Sequence, residues 1–218
     1  MSHKVYLDET GDLGWKFTHP YGRGGSSRYI TITFIIVPDG KEHLPKRIVS
    51  NIYTKYHVAT TKELKGCDLF PKVQHEFVRQ TIEMLNNNPD IIIKSITTNK
   101  QKVNPGLRKD GNILYNYMIE RSLLYHISKF PIVKLVRDNK TIKVKSINSL
   151  ADYLRVSLAF RRNSTTELID IPTESHLCRN LIFIDWVSYI IWSHFEYGKH
   201  HPFLELSPNV ITQRFLFI

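Results

Sequence analysis

Hydrophobic and polar positions follow two periods along this chain. From Lys4 to Glu9 the period is two, with Val5 and Leu7 on one face and Tyr6 and Asp8 on the other, which predicts a short strand. Gly11 and Gly14 break it, and the stretch to Ser27, with Pro20, Gly22, Gly24 and Gly25, has the chemistry of a loop. Arg28 to Val37 is rich in Ile, Thr, Phe and Val and predicts a buried second strand, ended by the turn Pro38-Asp39-Gly40. Helices are expected over Pro45–Tyr56 and Lys72–Asn86, the latter stopped by Asn87, Asn88 and Pro89. The run Ile91-Ile92-Ile93 opens a strand to Thr98 that should be buried on both faces, as in a parallel sheet.

The second half continues the alternation. Asn112–Lys129 predicts a helix with Leu114, Tyr117, Met118, Leu124 and Tyr125 on its apolar face. Pro131–Arg137 predicts a strand ending at Asp138, Lys145–Arg162 a helix, and Glu167–Ile171 a short strand. Leu181–Tyr197 is apolar nearly all round and predicts a fully buried helix. From Pro202 onward the chain reads as irregular, closing on the apolar run Phe215 to Ile218. An antiparallel opening pair followed by alternating helices and strands predicts an α/β fold, a mixed β-sheet flanked by helices.

Charge adds a partner class. The 218 residues carry a formal net charge of +10, and the excess is local: Lys94 to Arg162 holds 15 basic and 4 acidic residues. A basic block in a folded region suits a polyanion, most simply nucleic acid, although it also suits a solubilising surface. The loop with Lys100, Lys102, Arg108 and Lys109 is the expected contact. Two unpaired cysteines, Cys67 and Cys178, fit a reducing cytoplasm. No signal peptide and no membrane-length apolar stretch is visible in these residues.

Candidate chemistry is carboxylate-rich. Asp8 and Glu9 end the first strand and point to opposite faces; Asp8 before Gly11 also suits a turn cap. Asp138 ends a strand, where open α/β sheets place their sites, although Asp138-Asn139 also makes an ordinary turn. Asp185 sits in Leu181-Ile182-Phe183-Ile184-Asp185-Trp186-Val187, so it needs a cation, a hydrogen-bond network or a metal. Three carboxylates of this kind suit Mg²⁺ or Mn²⁺, which prefer oxygen ligands. In Glu63-Leu64-Lys65-Gly66, Glu63 offers a further ligand and Lys65 a charge for a phosphate, with a solvated loop as the plainer reading. His194, His200 and His201 lack the spacing of a zinc site, and no partner can be placed for a cysteine nucleophile.

Several of these segments resemble one family. Val5-Tyr6-Leu7-Asp8-Glu9-Thr10-Gly11-Asp12-Leu13-Gly14 resembles the opening motif of the domain of unknown function 3800. Glu63-Leu64-Lys65-Gly66, Leu114-Tyr115-Asn116, Val136-Arg137-Asp138, Ser175 with Ile184-Asp185, and Phe195-Glu196 resemble its later motifs, in order over residues 4 to 198. Phe183 and Ile184 depart from it, standing where Gln and Ala are usual. The resemblance implies an RNase H-like fold whose carboxylates bind metal for phosphodiester cleavage. The expectation is one RNase H-like domain over residues 1–218, with a C-terminal extension from about residue 199.

The activity expected is that of a metal-dependent nuclease or related phosphoryl-transfer enzyme. Asp8, Asp138 and Asp185 would hold Mg²⁺ or Mn²⁺, Glu9 or Glu63 would add a ligand or orient water, and Lys65 would neutralise a phosphate. The alternative is a nucleic-acid-binding module without catalysis, or an interaction component of a mobile-element or phage-related system. Phe215 to Ile218 would then be a docking segment, although a final strand or packed tail is preferred.

Overall fold

The computed structural model describes residues 2–109, 111–139, 150–208 and 211–216. β1 (Ser2–Thr10) pairs antiparallel with β2 (Tyr29–Pro38), Val5 opposite Ile36 and Leu7 opposite Phe34. β3 (Ile92–Asn99) lies antiparallel to β2. β4 (Ile132–Asp138) runs parallel to β1, and β5 (Glu167–Thr173) parallel to β4. β6 (Ile211–Leu216) runs parallel to β3 and gives the order β5-β4-β1-β2-β3-β6. The sheet is therefore mixed, as the alternation of elements predicts.

Alternation along the strands sends side chains into two cores. Tyr6, Ile35, Val37, Ile93 and Val136 face a layer built from α1 (His43–Lys55), α2 (Pro71–Asn87), α5 (Arg179–Tyr197) and α6 (His201–Leu206). Val5, Leu7, Phe34, Ile36 and Leu135 face α3 (Gly111–Ile127) and α4 (Leu150–Arg162). Helices on both faces explain why Ile30 to Val37 is buried without interruption. They also correct the reading of the Ile91–Ile93 strand. Its burial on both faces comes from the two helical layers; its neighbours are one antiparallel and one parallel strand.

Two further corrections concern helices. On α3 the buried stripe runs through Tyr115, Ile119 and Leu123, while Tyr117 and Tyr125 are exposed. With Arg121 they occupy i, i+4 and i+8 on the exposed side of the helix, where Arg162 of α4 lies 5.5 Å from the Tyr125 ring centre. The region from Pro202 is ordered rather than irregular. Leu206 of α6 is fully buried and Phe203 packs on the same core, and β6 extends the sheet. Phe217 and Ile218, and the start of the expected Lys145–Arg162 helix, lie outside the described residues. α5 is buried all round, as its composition demands, and ends at Gly198 in a left-handed conformation whose N–H returns to the His194 carbonyl.

The loop after β1 is tied by a buried cation. Lys100, fully buried, donates from Nζ to the Asp12 carbonyl at 2.6 Å, the Asp12 carboxylate at 3.2 Å and the Gly14 carbonyl at 2.9 Å. Asp12 also accepts from the Ser27 and Gly14 amides. Gly11 has φ +101°, and a Cβ there would lie 2.6 Å from the Tyr29 carbonyl, so the turn requires glycine. Lys100 is thus a structural residue and not the surface contact that its place in a basic loop suggests. Lys100→Met should leave the Asp12 and Gly14 carbonyls unpaired and remove the cation from the Asp12 carboxylate, which keeps its two amide donors; the cost is about 2–3 kcal/mol, that carboxylate being partly solvated. Urea denaturation measures it; a loss under about 0.5 kcal/mol, the range of an ordinary surface change, would refute the tie.

Candidate active site

The parallel trio β4, β1 and β5 brings three carboxyl ends to one rim of the sheet. Leu7 pairs with Arg137, so the next residues, Asp8 near the end of β1 and Asp138 at the end of β4, lie on neighbouring strands side by side. Asp8 lies on the face that Tyr6 shares with α5, and Glu9 lies on the α3 face. There the Tyr115 hydroxyl donates to Glu9 Oε2 at 3.1 Å. Arg137, beneath them, forks onto Asp170 with 3.0 and 2.8 Å bonds.

Asp185 arrives from α5, which lies across β1 and β2. Thr10 Oγ1 donates to Ser188 at 2.9 Å, Trp192 Nε1 to the Tyr29 carbonyl at 3.0 Å, and the Arg28 and Tyr29 amides to Glu196 at 2.9 Å. These bonds set the helix along the rim. The segment Glu63 to Gly66 closes over it. Gly66 N–H donates to Asp185 Oδ2 at 2.7 Å, and Trp186 Nε1 to the Leu64 carbonyl at 2.7 Å. A Cβ on Gly66 would lie 2.4 Å from Tyr189 Cβ, so only glycine lets the loop come this close. Glu63 accepts from Lys65 Nζ and from Ser175 Oγ, the latter at 2.7 Å.

The carboxylates sense one another. Asp8 is pushed well above the usual aspartate range by burial, then by the charges of Glu9 and Asp185. Glu9 is raised to about 7, first by burial and then by Asp138 and Asp185, against the Tyr115 hydrogen bond. Asp185 is raised to about 6 by burial, against the Gly66 amide and Lys65. Burial works to lower the Lys65 ammonium, but the Glu63 hydrogen bond and the charges of Asp185 and Asp8 outweigh it and raise it. Burial likewise opposes the ionisation of Glu63, but Lys65 and Ser175 hold its carboxyl below the ordinary value.

All six residues singled out in the sequence thus fall in one electrostatic neighbourhood: Asp8, Glu9, Asp138 and Asp185, with Glu63 and Lys65 at its edge. Among the described residues, no trio of these carboxylates brings its oxygen atoms within 4.8 Å of one another. Asp8, Glu9 and Asp185 each keep a partial path to solvent. Tyr115, Arg137 and Ser175 carried no assigned role in the sequence. All three stand in the motif segments, which is the available signal.

Among the described residues, the basic block does not form one surface beside this rim. Lys94 and Lys100 are buried and Arg137 is held by Asp170. Arg108 donates to the Val103 and Gln101 carbonyls. Lys140, Lys143 and Lys145 lie outside the described residues. The exposed cations gather instead on α3 and α4, as Arg121, Lys129, Arg161 and Arg162, interleaved with exposed Tyr117, Tyr125 and Phe160. Lys129 Nζ lies 4.0 Å from the centre of the Tyr125 ring.

No family model and no curated protein matches this chain. Solved structures do. The ribonuclease H2 from Pyrococcus horikoshii OT3 matches with a TM-score of 0.51 at 11% identity, over 90% of this chain and 78% of that one. The RNase HII of Archaeoglobus fulgidus, solved in complex with PCNA, gives 0.45 at 11% identity, over 90% of this chain and 75% of that one. The fold is RNase H-like. Among the described residues, no helix is long and apolar enough to cross a membrane.

Raised carboxyl pKa values make stability fall with pH. Unfolded carboxyls titrate near 4, whereas folded Asp185 and Glu9 hold their protons to about 6 and 7. Between those limits the folded chain binds more protons, so this stabilisation is complete below about pH 4 and is lost as pH rises through 7. In chelator, melting temperature should fall from pH 5 to 8, and less steeply in Asp185→Asn. A rise over that range, or parallel curves for the two proteins, would show that the carboxylates do not carry the effect.

Proposed function

We propose that this chain is a metal-dependent nuclease, or a related phosphoryl-transfer enzyme acting on nucleic acid, in a cytoplasmic setting. The observation that carries the reading is the group of mutually repelling, half-buried carboxylates at the carboxyl rim of an RNase H-like sheet. Such a group suits a hard cation better than it suits stability. The resemblance to the domain of unknown function 3800 points to the same residues.

Asp8, Asp138 and Asp185 would hold Mg²⁺ or Mn²⁺, since all three offer oxygen, Asp8 feels the charge of Asp185, and Glu9 feels the charges of Asp138 and Asp185. When bound, such ions neutralise phosphate charge and make water a better nucleophile. The chain's own groups do the rest. Lys65, kept protonated by Glu63, Asp185 and Asp8, offers Nζ to a phosphate oxygen. Glu63, itself anchored by the Ser175 hydroxyl, holds Lys65 in place, which leaves Glu63 committed to that pairing. Glu9, raised to about 7, is the better candidate to take a proton from water near neutral pH, and the Tyr115 hydroxyl orients its carboxyl.

Cleavage of a nucleic-acid panel should require Mg²⁺ or Mn²⁺ and stop in chelator. Asp8→Asn, Asp138→Asn and Asp185→Asn should each lower the rate by about 10²-fold or more while the fold survives. Inactivity of wild type on DNA and RNA, single- and double-stranded, with no effect of Mg²⁺ on melting, would remove the enzyme reading.

A binding module without catalysis is favoured by one observation: the aromatic and basic face of α3 and α4 lies on the layer opposite α5. Exposed rings between cations suit stacking on unpaired bases. Tyr125→Ala should weaken binding of a single-stranded oligonucleotide by about 1–3 kcal/mol, and affinity should drop steeply between 50 and 200 mM salt, as counterion release demands. Affinity that is flat with salt and unchanged by the substitution would exclude this face as the contact.

A further inference from the structure

α6 presents a second cluster with different chemistry. Its first residue, His201, and its fifth, Glu205, lie one turn apart on the same side, and Nδ1 of His201 is 3.2 Å from Oε1 of Glu205. α2 supplies His75, whose Nδ1 is 3.4 Å from the same oxygen. The two imidazoles meet edge to face, with centroids 4.7 Å apart. Among the described residues this is the one trio of His, Cys, Asp or Glu whose ligand atoms all lie within 4.8 Å of one another. Reading the region beyond Pro202 as irregular hid it, because only a helix brings residue 205 beneath 201.

The spacings suit coordination better than hydrogen bonding. An N–H···O bond prefers about 2.9–3.0 Å, and the His75 separations of 3.4 and 3.5 Å exceed that. Zn–N and Zn–O bonds of about 2.0–2.2 Å set the edge of a tetrahedron near 3.3–3.5 Å, which the His201–Glu205 and His75–Glu205 distances approach or match. His75 is half-buried and the other two are exposed, so solvent can fill a fourth position. The neighbouring imidazoles are engaged elsewhere: His194 and His200 share a 2.8 Å Nδ1–Nδ1 hydrogen bond, and His194 stacks on Phe203 at 4.0 Å.

We propose that His75, His201 and Glu205 form a metal site for a zinc-like transition ion, separate from the carboxylate rim, that staples α6 to α2. Two imidazoles and one carboxylate are the donor set of a borderline ion and not of Mg²⁺, which takes oxygen. The staple would fix the chain just before β6 joins the sheet beside β3. An ion held by the folded chain and not by the unfolded one raises stability with its concentration.

The test uses the full chain, stripped with chelator and titrated with Zn²⁺, with melting temperature and calorimetry as readouts. Wild type and Asp185→Asn should both be stabilised by zinc. His201→Gln and Glu205→Gln, at exposed positions where the fold tolerates change, should lose the melting shift and weaken binding by about tenfold or more, since even groups that only support a ligand cost 10–100-fold. Co²⁺ should give the visible absorption of a tetrahedral ion in wild type and in neither variant. No zinc shift in wild type, an undiminished shift in both variants, or its loss in Asp185→Asn would each overturn the site.

Discussion

α5 can be apolar on every side only because protein covers every side. The sheet takes one flank, α1 takes another, and the segment from Lys62 to Gly66 lies along a third. A carboxylate in that helix loses most of its hydration wherever it points. Asp185 points at polarity supplied by other parts of the chain, the Gly66 amide and the rim where β1 and β4 run side by side. The neighbourhood of the candidate site follows from that burial. Gly66 must be glycine for the loop to approach, Trp186 must spend its indole N–H on the Leu64 carbonyl, and Lys65 then hangs beside Asp185 and Asp8.

Packing of this kind sets a tension between stability and chemistry. One unit of pKa shift corresponds to about 1.4 kcal/mol, and Asp8, Glu9 and Asp185 all move upward together. A fold selected only for stability would replace them with apolar residues of similar size. Their place at the sheet rim and on α5, with partial access to solvent, is what a site for a positively charged ligand requires. The ties around them are correspondingly strong: Lys100 under the Asp12 turn, Arg137 on Asp170, and Glu196 capping the Arg28 and Tyr29 amides. Each satisfies a polar group that would otherwise be stranded beside the rim.

The two faces of the sheet carry different chemistry. On the α5 face lie Asp8 and Asp185, together with the two imidazoles and the carboxylate of α2 and α6, while Glu9 turns to the α3 face. On the other lies the exposed line of Tyr117, Arg121 and Tyr125 with Phe160 and Arg162 beside it. Oxygen donors, nitrogen donors and stacked cations select hard ions, borderline ions and polyanions respectively.

Local pattern carried much of this. The period of two in Val5 to Glu9, the turn at Asp39-Gly40, the all-round apolarity of α5 and the strand ending at Asp138 are short-range properties, and each stands in the structure where the residues place it. So did the isolation of Asp185, because a charge among Ile, Phe and Trp is anomalous whatever the fold. What the sequence alone left undecided is what depends on partners far along the chain. Lys100 looked like a surface cation until the Asp12 carbonyl, 88 residues away, accepted its hydrogen bond. Tyr117 and Tyr125 read as core because periodicity gives a helix a face but not its neighbours. Glu205 and His75, 130 residues apart, meet only through the packing of α6 on α2. Register, burial and convergence belong to the tertiary structure, since a side chain's charge state and solvent are set by what packs against it and not by what precedes it.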